Sequence, residues 1–529
     1  MMRSPMLRMK RTVLATLLLG TTLPQATASP VLAQQPVPDR FDGVRATIES
    51  VMSERNLASI SVAAAQDGRV VWEEAFGWAD REARIEATPH TPYSLASISK
   101  PILATGLMVL VERGAVDLDR PVDEYLGDAR LSGLGGDPAQ ATVRRVLSHT
   151  AGLPLHYQFF YEDGGYEPPP RSETIRRYGI VAHPPGTEFL YSNVGYGIID
   201  HVVSSASGRP YDEFLRSEVF LPLGMTRTSA GLPDVLKPYA AVRYGPENRR
   251  VPYYDFDHPG ASTVWASAHD LVRFGLFHLG HVPEDARRVL APQTVADMHR
   301  RETPEEGAGY GLGWFMADEM GFEKQWHTGS MPGVSTMLAL YPEMDIAVVV
   351  LLNNLATDLR VSIAQEIVAA LDEGYAETLE AARAEAERAE AARAEAAERA
   401  AAAAPGAATG IGGSFVPPAA LMGEWVGTLR TWVGEIPMAI AVGENGDVHV
   451  AVEGRLDAVL NGVGFDDGRL RGRYAGRIPT PDVMRHPLHS VALDLRLEGD
   501  RLYGQASAQT EANPTFYSLA SFVDLTRRR

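Results

Sequence analysis

The chain has 529 residues, of which 45% are hydrophobic and 22% charged, and its formal net charge is −18 at pH 7. A chain of this length can form two or more domains with a large buried core. So acidic a protein is a poor partner for nucleic acid or anionic membrane. The absence of cysteine excludes disulfides and lipid attachment at a cysteine.

Residues 1–33 are predicted to form a cleavable secretory signal peptide. An apolar stretch, 13–23, is followed by small residues and preceded by four cations, Arg3, Arg8, Lys10 and Arg11. The apolar stretch is too short to cross a membrane, so we expect no membrane span in the mature chain. These features predict a periplasmic or secreted protein without a lipobox cysteine. Removing the four cations of the leader takes the net charge from −18 to −22.

Residues 34–375 are predicted to form one α+β domain. Residues 39–57 have helical periodicity, and residues 60–78 are typical of two strands around a turn at Gln66-Asp67-Gly68. A mixed region of helices and Pro/Gly loops then extends to about Arg250.

The last sheet segment of this domain is predicted between Lys324 and Asn354. The pattern predicts one strand in QWHTGSMPGVSTMLALY, a turn in PEMD, and a second strand in IAVVVLLNN. Its continuous apolar run suits a central strand covered on both faces. Residues 358–371 are amphipathic and are expected to pack back on the sheet. An antiparallel sheet with a helical insertion between its early and late strands is an α+β arrangement.

Residues 376–420 are predicted to be a spacer. Alanine, glutamate and arginine dominate residues 377–404, and Glu-to-Arg pairs three or four positions apart favour a solvated helix. At about 1.5 Å per residue this helix would be roughly 40 Å long. Gly410 to Gly413 lies in the flexible tail that follows it.

Residues 421–529 are predicted to form a small antiparallel, lipocalin-like β-barrel. Short alternating segments are separated by turn clusters at residues 444–447, 466–468 and 498–500. Six to eight strands closing into a barrel is the expected result. No residue of this segment has a catalytic pattern.

The first chemical signal is Ser97 followed by Lys100 at the start of an apolar helix. Pro101 is tolerated only in a first helical turn, so Ser97 is expected at or just before the helix start. Positions three apart share a helix face, which places the amine beside the hydroxyl. The helix dipole favours both a deprotonated hydroxyl and a neutral amine there. This arrangement is typical of an activated serine nucleophile.

Lysine usage strengthens this signal. The chain contains four lysines and 45 arginines. A surface cation is therefore nearly always arginine here, whereas a proton-accepting amine must be lysine, because arginine stays protonated.

Two further segments carry candidate residues. Tyr191 and Asn193 lie in a loop that enters an apolar helix. A tyrosine near a lysine cation loses its proton more easily and can serve as a base or proton relay, and Asn193 can orient a substrate amide. His327-Thr328-Gly329-Ser330 opens a β stretch, in which glycine allows a substrate backbone to approach. The backbone N–H groups of Ser330 and Ser97 are predicted to bind an oxyanion together.

These three segments, in this order, resemble the motifs of the serine β-lactamase/penicillin-binding-protein superfamily. The closest similarity is to its class-C-like branch, which also holds esterases, D-aminopeptidases and other amide hydrolases. The resemblance covers about residues 40–370 and includes four flanking phrases: VRRVLSHTAGLP (143–154), PPGTEFLYSNVGYGIID (184–200), VFLPLGMTRTS (219–229) and YGLGW (310–314).

The resemblance implies a β-lactamase/transpeptidase-like domain and a role for each candidate residue. It implies that Ser97 is the nucleophile, Lys100 its paired lysine and Tyr191 the general base or proton relay. Substrate and oxyanion contacts are implied for the remaining residues, Asn193, His327, Thr328, Gly329 and the Ser330 backbone. Whether lysine or tyrosine takes the first proton is disputed across such enzymes.

Two positions depart from the family pattern. The third motif often begins with lysine, a fixed cation for a substrate carboxylate, whereas His327 is mostly neutral at pH 7. Ser262 and Thr263 fall where relatives often carry two glycines, which leaves the shape of that loop open. His149 is expected to be a structural hydrogen-bonding residue.

The sequence therefore predicts an exported serine hydrolase that cleaves an amide, peptide or ester through an acyl-enzyme on Ser97. The expected partner is a small-molecule or peptide substrate, and no cofactor or metal is expected, because no metal-ligand or phosphate-loop pattern is present. A true β-lactamase or DD-carboxypeptidase is the alternative within the family. A non-catalytic envelope ligand-binding or sensor protein is the alternative from another class. The substrate, the oligomeric state and the role of the barrel stay open.

Overall fold

A computed structural model describes residues 39–165, 167–305, 309–403, 415–431, 434–454, 458–478, 489–510 and 517–529. The predicted leader, residues 1–33, and the Gly410–Gly413 segment lie outside the described residues. Among the described helices, none is long and apolar enough to cross a membrane.

Ten α-helices are assigned in the described residues. In chain order they are α1 (Asp42–Arg55), α2 (Ser99–Glu112), α3 (Val143–Leu147), α4 (Arg171–Tyr178), α5 (Asn193–Ser207), α6 (Tyr211–Leu215), α7 (Ala268–His278), α8 (Pro292–Met298), α9 (Thr357–Leu371) and α10 (Glu373–Ala403). The predicted helices at 39–57, after Ser97 and at 358–371 are confirmed as α1, α2 and α9.

Among the described residues, fifteen strands precede α9. They are β1 (Ser59–Gln66), β2 (Arg69–Asp80), β3 (Ile85–Glu86), β4 (Tyr93–Ser94), β5 (Ser132–Gly133), β6 (Phe159–Tyr161), β7 (Ile180–Val181), β8 (Ser229–Ala230), β9 (Tyr254–Phe256), β10 (Val264–Ala266), β11 (Gly309–Tyr310), β12 (Phe315–Glu319), β13 (Phe322–Met331), β14 (Val334–Tyr341) and β15 (Ile346–Leu352). Eight of them form the main antiparallel sheet, in the order β11-β12-β13-β14-β15-β1-β2-β3. Early and late strands thus share one sheet, and the mostly helical insertion lies between them, as predicted.

The central strands are covered on both faces. Every residue of β14 and β15 is buried, which explains their continuous apolar sequence. Gly275 of α7 packs against Leu338, Leu340 and Ala347 on one face. Because successive side chains of a strand point to opposite faces, the alternate residues face α1 and α9, which contact the sheet as well.

The prediction of one strand in QWHTGSMPGVSTMLALY is wrong. The structure divides this segment at Pro332-Gly333 into β13 and β14, which pair from Gln325↔Leu340 to Met331↔Val334. Gly333 has φ +73°, a conformation that glycine adopts without steric cost, so a two-residue hairpin turn forms here. The hairpin gives β13 a free edge region beside the insertion.

The C-terminal segment forms a nearly closed antiparallel barrel. Its described residues contain nine strands: β16 (Gly423–Thr431), β17 (Gly434–Val442), β18 (Val448–Val452), β19 (Ala458–Val459), β20 (Asn461–Asp466), β21 (Arg469–Gly476), β22 (His489–Glu498), β23 (Arg501–Thr510) and β24 (Tyr517–Arg527). The sheet order runs from β19 through β16 and β24 to β20, and β19 approaches β21. The predicted six to eight strands were too few, because the two-residue β19 has no sequence signature. The three predicted turn clusters each join two adjacent strands.

Side chains fill the barrel interior. Alternating apolar residues of the strands form one core, with Trp425, Leu429 and Val523 among its fully buried members. The side-chain alternation of period two places these residues inside and the intervening polar residues outside.

Helix α10 begins docked and continues exposed. Tyr375 and Leu379 are buried at its start, whereas most of residues 380–396 are exposed. Glu319 of β12 accepts hydrogen bonds from the Tyr375 hydroxyl (2.8 Å) and from Lys324 Nζ (2.6 Å). This carboxylate ties the helix to the sheet and gives Lys324 a structural partner.

The barrel docks on the insertion beside β6. Tyr157 and Ser518 exchange two backbone hydrogen bonds, of 2.9 and 3.0 Å, at the part of β24 that extends beyond its pairing with β16. Arg469 of β21, 5% exposed, donates to His183 Nδ1 (2.9 Å) and to Glu188. A strand edge and a buried guanidinium therefore hold the two parts together.

Replacing Arg469 by methionine is expected to lower the free energy of unfolding by about 2 kcal/mol, because Glu188 is then left without its buried partner. Arg471→Met is the matched control, because Arg471 lies on the same strand with a largely exposed side chain that pairs with Asp494. This change is expected to cost under about 0.5 kcal/mol. Urea denaturation of both variants measures the difference, and equal midpoints would contradict the docking role of Arg469.

Candidate active site

Ser97 lies in a short 3₁₀ turn, Ala96–Ile98, directly before α2. Ser99 fixes this turn, because its hydroxyl donates to Ala96 O (2.7 Å) and accepts from Val264 N–H (3.0 Å). Pro101 occupies the first turn of α2, as its missing N–H requires. The predicted position of Ser97 at the head of a buried helix is confirmed.

Lys100 lies one turn further and reaches back to Ser97. Its Nζ is 3.1 Å from Ser97 Oγ, 2.8 Å from Asn193 Oδ1 and 3.2 Å from the Ala261 carbonyl oxygen. The side chain is fully buried, and no carboxylate contacts it among the described residues. Burial lowers the pKa of Lys100 well below 10.5, because the charged form loses its hydration. Burial therefore favours the uncharged form of the amine beside the serine hydroxyl.

Tyr191 lies over the amine of Lys100. Its ring centroid is 4.7 Å from Lys100 Nζ, and its hydroxyl hydrogen-bonds with Ser97. The expectation of an easily lost tyrosine proton is wrong: burial raises the pKa of Tyr191 above 10, and the hydrogen bond from Ser97 opposes this only in part. The reason is that a phenolate would lose its hydration in this buried position.

The loop that carries Tyr191 and Asn193 is fixed at the start of α5. Ser192 caps the helix by accepting from Gly195 N–H (3.0 Å), and His149 Nδ1 accepts from Ser192 N–H (3.0 Å). The His149 ring also lies 4.3 Å from the Tyr191 ring. Burial lowers the pKa of His149 well below 6.5, which keeps Nδ1 free to accept. The predicted structural role of His149 is confirmed.

The third segment runs along β13 against the Ser97 turn. A Cβ at Gly329 would lie 2.1 Å from Leu95 O and 2.9 Å from Ala96 Cβ, so only glycine permits this approach. Thr328 is half-buried, and Ser330 lines the cavity that contains Ser97. The predicted oxyanion contacts of the Ser97 and Ser330 N–H groups stay a prediction.

His327 is buried and uncharged. Its Nδ1–H donates to Thr328 O (2.8 Å), and its ring lies 5.2 Å from that of Phe315. Burial, aided by the nearby Lys100, lowers the pKa of His327 to about 3. The segment therefore offers no cation to a substrate carboxylate at this position.

The sequence pattern did not single out Arg360 of α9. Its Nη1 donates to Gly329 O, to Ser330 Oγ (2.6 Å) and to Ser335 Oγ (3.4 Å). These bonds connect α9 to the β13–β14 hairpin. An arginine among the polar residues of an amphipathic helix has no pattern that would have identified it.

Ser97 opens into a cavity of about 270 Å³. Its lining consists of Ser97, Leu155, Tyr157, Phe159, Tyr191, Asn193, His258, Ser262, Ser330, Met331 and Leu355. None of these residues is a lysine, arginine, aspartate or glutamate. Ser262 follows the Pro259–Ala261 turn, whose Ala261 carbonyl contacts Lys100.

The chain matches a protein-family model described as Beta-lactamase over residues 44–372. Penicillin-binding protein 4* of Bacillus subtilis (strain 168) is 27% identical over 322 residues, which cover 56% of this chain and 68% of that protein. Protein flp of Staphylococcus aureus (strain COL) is 23% identical over 314 residues, which cover 58% of this chain and 61% of that protein.

Two solved structures share the fold at 21% identity. The octameric penicillin-binding protein homologue from Pyrococcus abyssi has a TM-score of 0.54 and covers 91% of this chain and 99% of its own. A class C β-lactamase has a TM-score of 0.56 and covers 64% of this chain and 98% of its own. The first therefore extends into the barrel, whereas the second covers a smaller part of the chain.

Replacing Gly329 by alanine is expected to slow modification of Ser97 by a fluorophosphonate about 100-fold. The added Cβ would displace β13 from the Ser97 turn, and a misplacement of about 1 Å costs a factor of this size. Gly464→Ala is the control, because a Cβ there meets no atom within 4 Å. Gel-based labelling measures both rates, and wild-type labelling by Gly329→Ala would contradict the close approach.

Proposed function

The chain belongs to the β-lactamase family of serine hydrolases, which act through an acyl-enzyme, and we propose that it hydrolyses an amide, peptide or ester through an acyl group on Ser97. The contact that carries the proposal is the 3.1 Å distance between Ser97 Oγ and the buried amine of Lys100. A serine hydroxyl is a weak nucleophile until an adjacent base takes its proton. Lys100 is the base that the proposal assigns.

The pKa directions support Lys100 rather than Tyr191 as the first proton acceptor. Burial lowers the pKa of Lys100 and raises that of Tyr191, so of the two groups the amine gives up its own proton more readily and is the better candidate to accept the proton of Ser97. Once protonated, the ammonium has Asn193 Oδ1 and Ala261 O as acceptors. In this proposal Tyr191 relays the proton to the leaving group.

The remaining predicted residues have binding roles in the proposal. The N–H groups of Ser97 and Ser330 stabilise the oxyanion of the tetrahedral intermediate. Asn193 orients the substrate amide or carbonyl. His327, Thr328 and Gly329 form the strand along which the substrate backbone lies.

The cavity favours a substrate with a neutral, apolar acyl group. Leu155, Phe159, Met331 and Leu355 supply an apolar wall, and the lining carries no charged side chain. Arg360 contacts the lining residue Ser330, and its Nη1 already donates to three oxygens. This composition weakens the alternative of a true β-lactamase or DD-carboxypeptidase, whose substrates carry a carboxylate.

We further propose that the protein is exported and that the barrel supports the cavity wall. The predicted leader supports export to the periplasm or the medium. Tyr157 lines the cavity and is held by Ser518 of β24, so the barrel reaches the substrate side of the site. The barrel has two further candidate roles in this proposal. It could cover the cavity mouth as a lid, or it could bind an envelope polymer.

The function is tested with Ser97→Ala and a panel of p-nitrophenyl esters, D- and L-amino-acid p-nitroanilides and nitrocefin. We expect the wild type to turn over a neutral ester or amide faster than nitrocefin, and the variant to lose this turnover by at least about 10³-fold. Intact-mass spectrometry should show a fluorophosphonate adduct on the wild type and none on the variant.

Ser204→Ala is the control, because Ser204 lies on α5 and bonds the Asp200 carbonyl away from the cavity. Faster hydrolysis of nitrocefin than of every neutral substrate would favour the β-lactamase alternative. An unlabelled wild type without turnover would favour the binding or sensor protein.

A further inference from the structure

Two groups of histidine and carboxylate side chains have the composition of a metal site. Among the described residues, each group brings three ligand atoms within 4.8 Å of one another; the groups are Glu73/His90/His269 and His156/Asp257/His258. The second group is completely shielded from solvent, so it offers no access to an ion in solution. The first group lies at the surface, with two half-buried side chains and an exposed one, His90.

Three separate segments supply the surface group. Glu73 lies on β2, His90 in the turn before β4, and His269 in the first turn of α7. The backbone N–H of His269 donates to Pro89 O (3.1 Å), and β4, which follows the turn, pairs with β10, which leads into α7. The backbone therefore holds the two histidines beside each other without any contribution from their imidazole rings.

The side chains of the surface group converge. His269 Nδ1 lies 2.8 Å from Glu73 Oε2, and the centroids of the two imidazole rings are 4.6 Å apart. Within the described part of the chain, the ring of His90 has this ring contact but no hydrogen bond. It is thus an exposed imidazole, held next to a second imidazole and a carboxylate, whose nitrogens are available to a ligand.

The spacing of the three ligand atoms suits a single ion. Around a tetrahedral zinc ion, ligand atoms about 2 Å from the metal lie about 3.3 Å from one another. The widest separation in the group is no more than 4.8 Å, so it has to shorten by at most about 1.5 Å to reach this value. Because His90 is exposed, rotation of its side chain can supply this change without repacking the core.

The surrounding charges admit a cation. Besides Glu73, the carboxylate of Asp270 acts on both histidines, and it is opposed by the guanidinium of Arg227 at one ring and of Arg273 at the other. Arg273 is itself paired with Asp285 (2.6 Å). Carboxylates therefore outnumber guanidiniums around the group, and the whole chain is acidic, with a net charge of −18.

The protonation of the two histidines also bears on metal binding. Burial lowers the pKa of His90, and the charge of His269 lowers it further, which favours the uncharged imidazole that a metal ion needs. The hydrogen bond to Glu73 raises the pKa of His269, so an ion has to displace the proton on that ring. Binding is therefore expected to release a proton and to weaken as the pH falls.

We propose that Glu73, His90 and His269 form a binding site for Zn²⁺, with one nitrogen of each histidine and one carboxylate oxygen as ligands. Zinc prefers such ligands, and the solvent-facing side leaves its fourth position to water. The ion joins β2, α7 and the turn before β4. None of its ligands lines the Ser97 cavity, so the site is structural. The sequence gave no sign of it, because the ligands lie far apart in the chain and form no spacing pattern.

Isothermal titration calorimetry with ZnCl₂ tests the site on the full chain, after treatment with EDTA and removal of the chelator. We expect zinc to bind the wild type at one site, and His90→Ala and Glu73→Gln each to weaken this binding at least about 10-fold. His90→Ala is the most informative variant, because its exposed ring forms no hydrogen bond on which folding depends. Mg²⁺ and Ca²⁺ prefer oxygen ligands and should not compete at about 1 mM.

His281→Ala is the matched control. His281 is also a partly exposed histidine paired with a carboxylate, because its Nε2 lies 2.8 Å from both carboxylate oxygens of Asp345. It belongs to no group of three such ligands in the described residues. This variant should therefore keep the zinc affinity of the wild type.

Cobalt gives a second measurement that reports on the geometry of the site. Co²⁺ bound to the wild type should show the visible absorption typical of tetrahedral coordination, and added Zn²⁺ should abolish it. The absorption should be absent from His90→Ala and present in His281→Ala. Ser97→Ala should bind zinc as the wild type does, because the site is independent of the proposed acylation.

Three outcomes would overturn the inference. The first is a wild type that binds no zinc, and the second is His90→Ala with unchanged affinity. The third is an equal loss of affinity in His281→Ala, which would show zinc binding to surface histidines in general. If EDTA abolished labelling of Ser97 by a fluorophosphonate, the structural role of the ion would be contradicted, whereas loss of turnover in Ser97→Ala alone leaves the zinc site untouched.

Discussion

Lys100 Nζ lies 3.1 Å from Ser97 Oγ in a place from which solvent is excluded, and the surrounding elements keep that amine buried, which lowers its pKa. The Ala96–Ile98 turn supplies Ser97, the first turn of α2 supplies Lys100, the start of α5 supplies Asn193, and the turn before β10 supplies the Ala261 carbonyl. The hydrogen-bond partners of the amine among the described residues are neutral oxygens, so no carboxylate there opposes the lowering of its pKa by burial. A carboxylate at any of these positions would stabilise the ammonium and remove the base.

The sheet limits how the site is assembled. Strand β13 approaches the Ser97 turn so closely that Gly329 has room only for a hydrogen in place of a side chain. Arg360 of α9 holds the hairpin that β13 forms with β14 by a hydrogen bond to Ser330. On the other side, the insertion carries Tyr157 to the cavity, and β24 of the barrel pairs with that residue. The cavity wall thus depends on three regions far apart in the chain. This explains how the C-terminal barrel, whose sequence has no catalytic pattern, can still influence the binding of a substrate in the cavity.

The sequence was most informative at positions where a residue type points to one particular physical role. Pro101 and the apolar spacing of α2 predicted where Ser97 lies, and the scarcity of lysine identified Lys100. The Pro332-Gly333 turn was missed because a two-residue hairpin leaves an apolar β pattern almost unbroken. The pKa of Tyr191 was predicted in the wrong direction, because burial of its hydroxyl depends on tertiary packing that the sequence does not show. Likewise, His156 and His258 are about a hundred residues apart, and only the fold brings them to Asp257.

The charge of Lys100 can be measured directly by NMR of protein labelled with [13Cε]lysine, because the chain has only four lysines. Lys100→Arg identifies the signal by its disappearance. We predict that the Lys100 carbon titrates well below pH 10.5, whereas that of Lys237, which pairs with Asp234, titrates above this value. Titration of Lys100 at or above 10.5 would contradict a neutral amine beside Ser97 and with it the proposed mechanism.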